Sequence, residues 1–153
     1  MRLSIPLPGP RRGRLALAAL LAGVPWIMGA GSTVSLTDGW FRVLTPTLPA
    51  AGYFTLTNAT DQPVQLVGAS SSACGQTMLH RSTNENGVEH MAMVASVTVP
   101  AHGSLAFRPG GYHIMCMSPG PALTPGHTVP VALRFADGTS LQAEFRVLGA
   151  TGK

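Results

Sequence analysis

Beyond residue 32 the chain never runs far without a turn signal. Asp38-Gly39, the stretch 58–63, Asn86-Gly87, His102-Gly103, Pro109-Gly110-Gly111, Pro119-Gly120-Pro121 and Asp137-Gly138 punctuate it. These residues supply the fixed or positive φ values that tight turns need. Between them lie short runs that alternate apolar with polar residues or are rich in β-branched ones: 33–44, 52–58, 63–70, 76–82, 88–94, 96–99, 103–108, 112–117, 128–135 and 140–147. No window after residue 32 keeps a 3.6-residue apolar period over a helical length. So many strands in ~120 residues predict an all-β domain, a Greek-key β-sandwich or small barrel. Hydrophobic residues make up 45% and charged ones 10%. That balance excludes a solvated disordered chain, and 153 residues give room for one core.

The first 31 residues read as an address. Residues 2–14 are basic and free of acids, Leu15 to Ala22 is an unbroken apolar run, and the small residues Gly29, Ala30, Gly31 and Ser32 follow. This is the order of a secretory signal peptide, cleaved near Ala30 or Gly31. The apolar run is too short for a membrane span and is followed by Gly23 and Pro25. The expectation is a signal peptide over 1–31, a mature domain over 32–153, and no stable membrane span after cleavage. Export also removes the apparent basicity. Of ten Lys and Arg residues, four (Arg2, Arg11, Arg12, Arg14) lie in the leader, and from Ser32 onward six bases face six acids. A neutral body has no basic stripe for phosphates, so nucleic acid is not an expected partner.

Methionine and histidine are unevenly distributed. Five of seven Met fall between 78 and 117 (Met78, Met91, Met93, Met115, Met117), as do four of five His (His80, His90, His102, His113). Any one of them is ordinarily core filling or loop decoration. Spacing sets some apart. In a strand over 112–117, His113, Met115 and Met117 share one face, while Ile114 and Cys116 share the other. Asn86-Gly87 is a strong two-residue hairpin signal. A turn centred there pairs Glu85 with Val88, Ser82 with Met91 and His80 with Met93. His80, Ser82, Met91 and Met93 then line one side and His90 the other. Two imidazoles and two thioethers make a soft, neutral donor set that selects Cu(I); Zn recruits thiolate or carboxylate, and Ca or Mg needs several oxygens. His102 and His127 sit in expected turns, away from the ligands.

Cys74 and Cys116 are the two cysteines. In an oxidising compartment they are expected to form a structural disulfide. The alternative makes Cys116 a copper ligand, which strand alternation opposes. The same alternation opposes a blue-copper site, where thiolate, two imidazoles and an axial Met surround one metal. No nucleophile has a plausible neighbouring base, so no enzyme is expected.

The series His80, ten residues, Met91, twenty-one residues, His113, one residue, Met115 resembles the metal motif of the periplasmic copper chaperones called PCu(A)C. Segments 50–58, 66–71, 109–115 and 129–135 resemble family segments in the same order. The resemblance implies a cupredoxin-like β-sandwich holding one Cu(I) at a solvent-accessible site through His80, Met91, His113 and Met115. It further implies copper delivery to the copper-receiving subunit of cytochrome c oxidase, alongside a thioredoxin-fold assembly protein, in the periplasm. The chain departs from the family at Arg81, where a Met often follows the first His, and Met93 and Met117 remain further thioether candidates. Two other readings stand beside this one: a periplasmic copper buffer for tolerance, and a non-metal immunoglobulin-like interaction module.

Overall fold

A computed structural model describes residues 33–152. The expected signal peptide over 1–31 and its cleavage site lie outside the described residues. Within these residues ten strands follow one another: β1 (Val34–Arg42), β2 (Ala50–Asn58), β3 (Val64–Ser70), β4 (Cys74–Glu85), β5 (Val88–Met93), β6 (Val97–Val99), β7 (Gly103–Phe107), β8 (Tyr112–Pro119), β9 (Thr128–Phe135) and β10 (Ser140–Leu148). Each corresponds to one of the ten runs read from the sequence. Among the described residues there is no helix.

The strands are hydrogen-bonded in the order β5-β4-β8-β2-β1-β10-β9-β3-β6, with β7 on β2. All pairs are antiparallel except β1 with β10. One edge of β2 is divided: residues 50–52 pair with β8 and 54–58 with β7. The sheet turns back on itself, so a single core draws on Leu79 of β4, Leu56 of β2, Phe145 of β10, Leu133 of β9 and Val99 of β6. Strands from both halves of the order thus bury their apolar faces against one another, as a sandwich requires. The all-β, cupredoxin-like fold class expected from the sequence is the one found.

Two dipeptides show how local chemistry sets this geometry. Asn86 and Gly87 both have positive φ, at 54° and 83°. That is the two-residue hairpin turn expected there, and it holds β4 and β5 in register. Asp38-Gly39, read as turn punctuation, instead forms a bulge inside β1. Asp38 has φ 55° and the β1–β2 register shifts between Thr37 and Trp40. The reason is packing: a Cβ on Gly39 would stand 2.6 Å from the Phe145 ring, so the bulge lets β1 lie close on that core aromatic.

Candidate metal centre

The site lies on the outer face of β5, β4 and β8. In β8, Ile114 and Cys116 are fully buried in the core, so His113, Met115 and Met117 turn to the opposite face. β4 pairs with β8 so that His80 stands opposite His113 and Met78 opposite Met115. β5 pairs with β4 through Glu85–Val88, Ser82–Met91 and His80–Met93, the register expected from the Asn86-Gly87 turn. One face therefore carries both imidazoles and all five thioethers of the 78–117 segment.

The two imidazoles meet edge to face, with ring centroids 5.7 Å apart. His113 is 3% exposed, and its Nδ1–H donates to the Gly111 carbonyl at 3.1 Å. That bond fixes the tautomer and leaves Nε2 with its lone pair, the arrangement a metal-ligating imidazole needs. His113 Nε2 and His80 Nδ1 are both buried with no hydrogen-bond partner among the described residues. A buried polar atom left unpaired costs about 1–3 kcal/mol, so two such nitrogens on facing rings call for a bound species. Burial pushes the His113 imidazolium down from its ordinary range; the Gly111 carbonyl works against this and charge on His80 adds to it. That shift favours the neutral ring, the form that can act as a ligand.

A cleft of about 170 Å³ opens beside His113 and is lined by Met91, Met115, Ser82, Glu89, Arg42 and Tyr53, among others. Of the residues singled out in the sequence, the structure thus gathers Met91, His113 and Met115 at one cleft and sets His80 against His113. Met93 and Met117 do not line it. Met93, though opposite His80, borders a different cleft, and Met117 lies farther along β8 opposite Gln76. Among the described residues no three His, Cys, Asp or Glu side chains group together, so the further soft donors at the cleft are the thioethers of Met91 and Met115.

Three polar residues at the cleft were not read from the sequence as part of it. Arg42 of β1 reaches Tyr53 of β2, its Nη2 donating to the phenol oxygen at 3.3 Å. Tyr53 in turn stands between Trp40 and His113, at centroid distances of 4.8 and 6.3 Å. Burial raises the Tyr53 phenol, with Arg42 acting in the opposite sense. Glu89 faces the cleft from β5, two residues before Met91. Alternation along β5 was enough to place Glu89; nothing local could place Arg42 and Tyr53, which reach the site through the non-local β2–β8 pairing. Arg81, the departure from the family pattern, points away: its guanidinium lies 5.3 Å from the centre of the Tyr112 ring, on the face opposite His80.

Cys74 and Cys116 are joined by a disulfide with Cα atoms 5.4 Å apart. Cys116 belongs to the core face of β8, so neither sulfur is available to the cleft. His102 is exposed and bonds Asp61 through Nε2 at 2.6 Å, and His127 is exposed in a turn, both away from the cleft.

Fold and site together define a β-sandwich of the PCuAC kind, with soft donors gathered on one sheet face. The model of a family described as putative lipoprotein LpqE-like matches residues 34–147. The chain belongs to this family. A putative lipoprotein of Leifsonia xyli subsp. xyli is 33% identical over 108 residues, covering 70% of this chain and 64% of that protein. An uncharacterized protein of Rickettsia prowazekii is 30% identical over 121 residues, covering 74% of this chain and 65% of that protein. The chain thus spans just under two thirds of these curated relatives. Among solved structures, the Cu(I) form of DR1885 from Deinococcus radiodurans is 32% identical, with TM-score 0.60 over 79% of this chain and 83% of that one. The copper-bound PCuAC domain from PmoF2 shares the fold at 16% identity, with TM-score 0.62 over 76% of this chain and 92% of that one. The family resemblance stated from the sequence is the one these matches show.

Proposed function

We propose that the chain is an exported Cu(I) carrier of the periplasm, holding one ion through His80, Met91, His113 and Met115 and giving it up for assembly of cytochrome c oxidase. The observation that carries this reading is the pair of facing imidazoles whose buried nitrogens have no partner, beside thioethers in an open cleft. Copper is cargo here, so the site must bind and also release. The donor set suits both needs. Thioethers are neutral and soft, prefer Cu(I), and do not compete with protons at ordinary pH. Met91 is 51% exposed, so an incoming ligand can displace it first while the buried His113 still holds the ion. The solved relatives named as copper-bound support the metal. The lipoprotein relatives support export. The recipient subunit and a thioredoxin-fold assembly partner follow from the family resemblance.

The test is an anaerobic Cu(I) titration against a chromophoric chelator, followed by transfer to a purified oxidase copper domain. One tight equivalent is expected, lost in a His113→Ala, Met115→Leu variant, with copper passing to the oxidase domain. Tight binding retained by that variant would place the site elsewhere. Binding without transfer would favour a copper buffer, and no binding would leave an interaction module.

A further inference from the structure

Met93 and Met78 are not used by the site described so far. All six residues of β5 are exposed, so no demand of the core explains a Met at 93, which is 69% exposed. The His113 cleft takes in Met91 but neither Met93 nor Met78. Register supplies a relation between them. Met93 is the direct partner of His80, and Met78 precedes His80 by two residues on the same face. Diagonal neighbours in an antiparallel pair stand about 7–8 Å apart, within reach of long side chains. Met93 and Met78 are such a diagonal pair, displaced along β4 away from Met91. Both also line a second cleft of about 420 Å³, whose other lining residues include Val67, Ala69, Leu79 and Arg134. Among the described residues that cleft offers no carboxylate, thiol or imidazole, and Arg134 is the one charged residue lining it. A hard divalent cation finds no suitable donor there and meets twice the repulsion from the guanidinium that a monovalent ion does. A soft monovalent ion finds two thioethers.

We infer that Met78 and Met93 form a second, weaker Cu(I) position adjoining the first. This rests on the carrier reading for the choice of metal. Because Met93 lies directly opposite His80, an ion held there reaches the imidazole by ligand exchange alone, with no change of oxidation state. The second position thus serves as a holding point on the way into or out of the His80–His113 pair.

The experiment is Cu(I) titration of the whole mature protein under anaerobic conditions with a competing chelator, combined with NMR of ¹³C-methyl-labelled methionine. The wild type is expected to take up a second equivalent at least about tenfold more weakly than the first, since neutral thioethers replace the imidazoles. The Met91 and Met115 methyls should move with the first equivalent, and those of Met78 and Met93 with the second. A Met78→Leu, Met93→Leu variant should lose the second equivalent and keep the first within about threefold, Leu being close to Met in volume. Saturation of the wild type at one equivalent overturns the inference, as does a second equivalent retained by the folded variant. Completion of the Met93 shift within the first equivalent also overturns it, and that reading needs no variant. Failure of the carrier reading is distinct: it shows as loss of the first equivalent in the wild type, or its survival in His113→Ala, Met115→Leu.

Discussion

Strands β9 and β5 are both rich in apolar residues, yet they use them in opposite ways. In β9, Val129, Val131, Leu133 and Phe135 all enter the core, alternating with side chains that stay out of it. In β5, Val88, Met91 and Met93 are 57%, 51% and 69% exposed, and nothing on the strand is buried. β9 is flanked by β10 and β3, whereas among the described residues β5 ends the sheet order and pairs with β4 alone. The lesson is that an apolar residue in a strand is not by itself a core residue. Hydrophobic burial determines what β9 can be, while β5 is held by a hairpin ladder and is free to carry soft donors.

The largest expected effects set core against rim. Leu133→Ala should lower unfolding stability by about 2–5 kcal/mol, the range for truncating a fully buried Leu. Met91→Leu should change it by less than ~1.5 kcal/mol, being volume-conserving and exposed. Urea denaturation of both variants checks the contrast, and equal losses would break it. The disulfide belongs with the core. Cys74→Ala, Cys116→Ala should cost about 2–5 kcal/mol yet leave Cu(I) affinity nearly unchanged below the melting transition. A collapse of affinity in that folded variant would mean that the bridge positions the ligands as well.

Affinity then separates the two thioethers of β5 itself. Met91→Leu should weaken the first Cu(I) equivalent at least about tenfold, on the scale of losing a group a metal site relies on. Met93→Leu should weaken it far less. Chelator competition gives the order, and the reverse order would move the primary ligand to Met93. The smallest effect concerns pH. Burial lowers the His113 imidazolium in the folded state, so between that lowered value and the ordinary 6.5 the unfolded chain binds the extra proton. The contribution is absent above this window, and the metal-free protein loses stability as pH falls through it. Urea midpoints of apo wild type and His113→Gln at pH 7.5 and 5.5 check this, with a shallower fall expected in the variant. Superimposable falls would remove His113 as the cause.

Much of this was legible before any coordinates. Alternation put His113 and Met115 on one face of β8 and Cys116 on the other, and Asn86-Gly87 set the hairpin register, because a type of turn with two positive φ residues leaves only one pairing of its strands. Asp38-Gly39 shows the limit of the same logic: a dipeptide with turn chemistry became a bulge because Phe145, more than a hundred positions later, packs against Gly39.

The sequence by itself determined the strands, their faces and the soft character of the donors, since these depend on local periodicity, turn chemistry and spacing, and its motif carried the family resemblance. Only the tertiary structure decided which donors meet. Met91 and Met93 are equivalent by alternation, yet in the folded chain Met91 lines the His113 cleft and Met93 lines another together with Met78. Arg42 and Tyr53 join the site through a pairing of β2 with β8 that spans some sixty positions of chain. Contacts of that range are set by how the whole sheet closes around its core, and no local pattern in the residues records it.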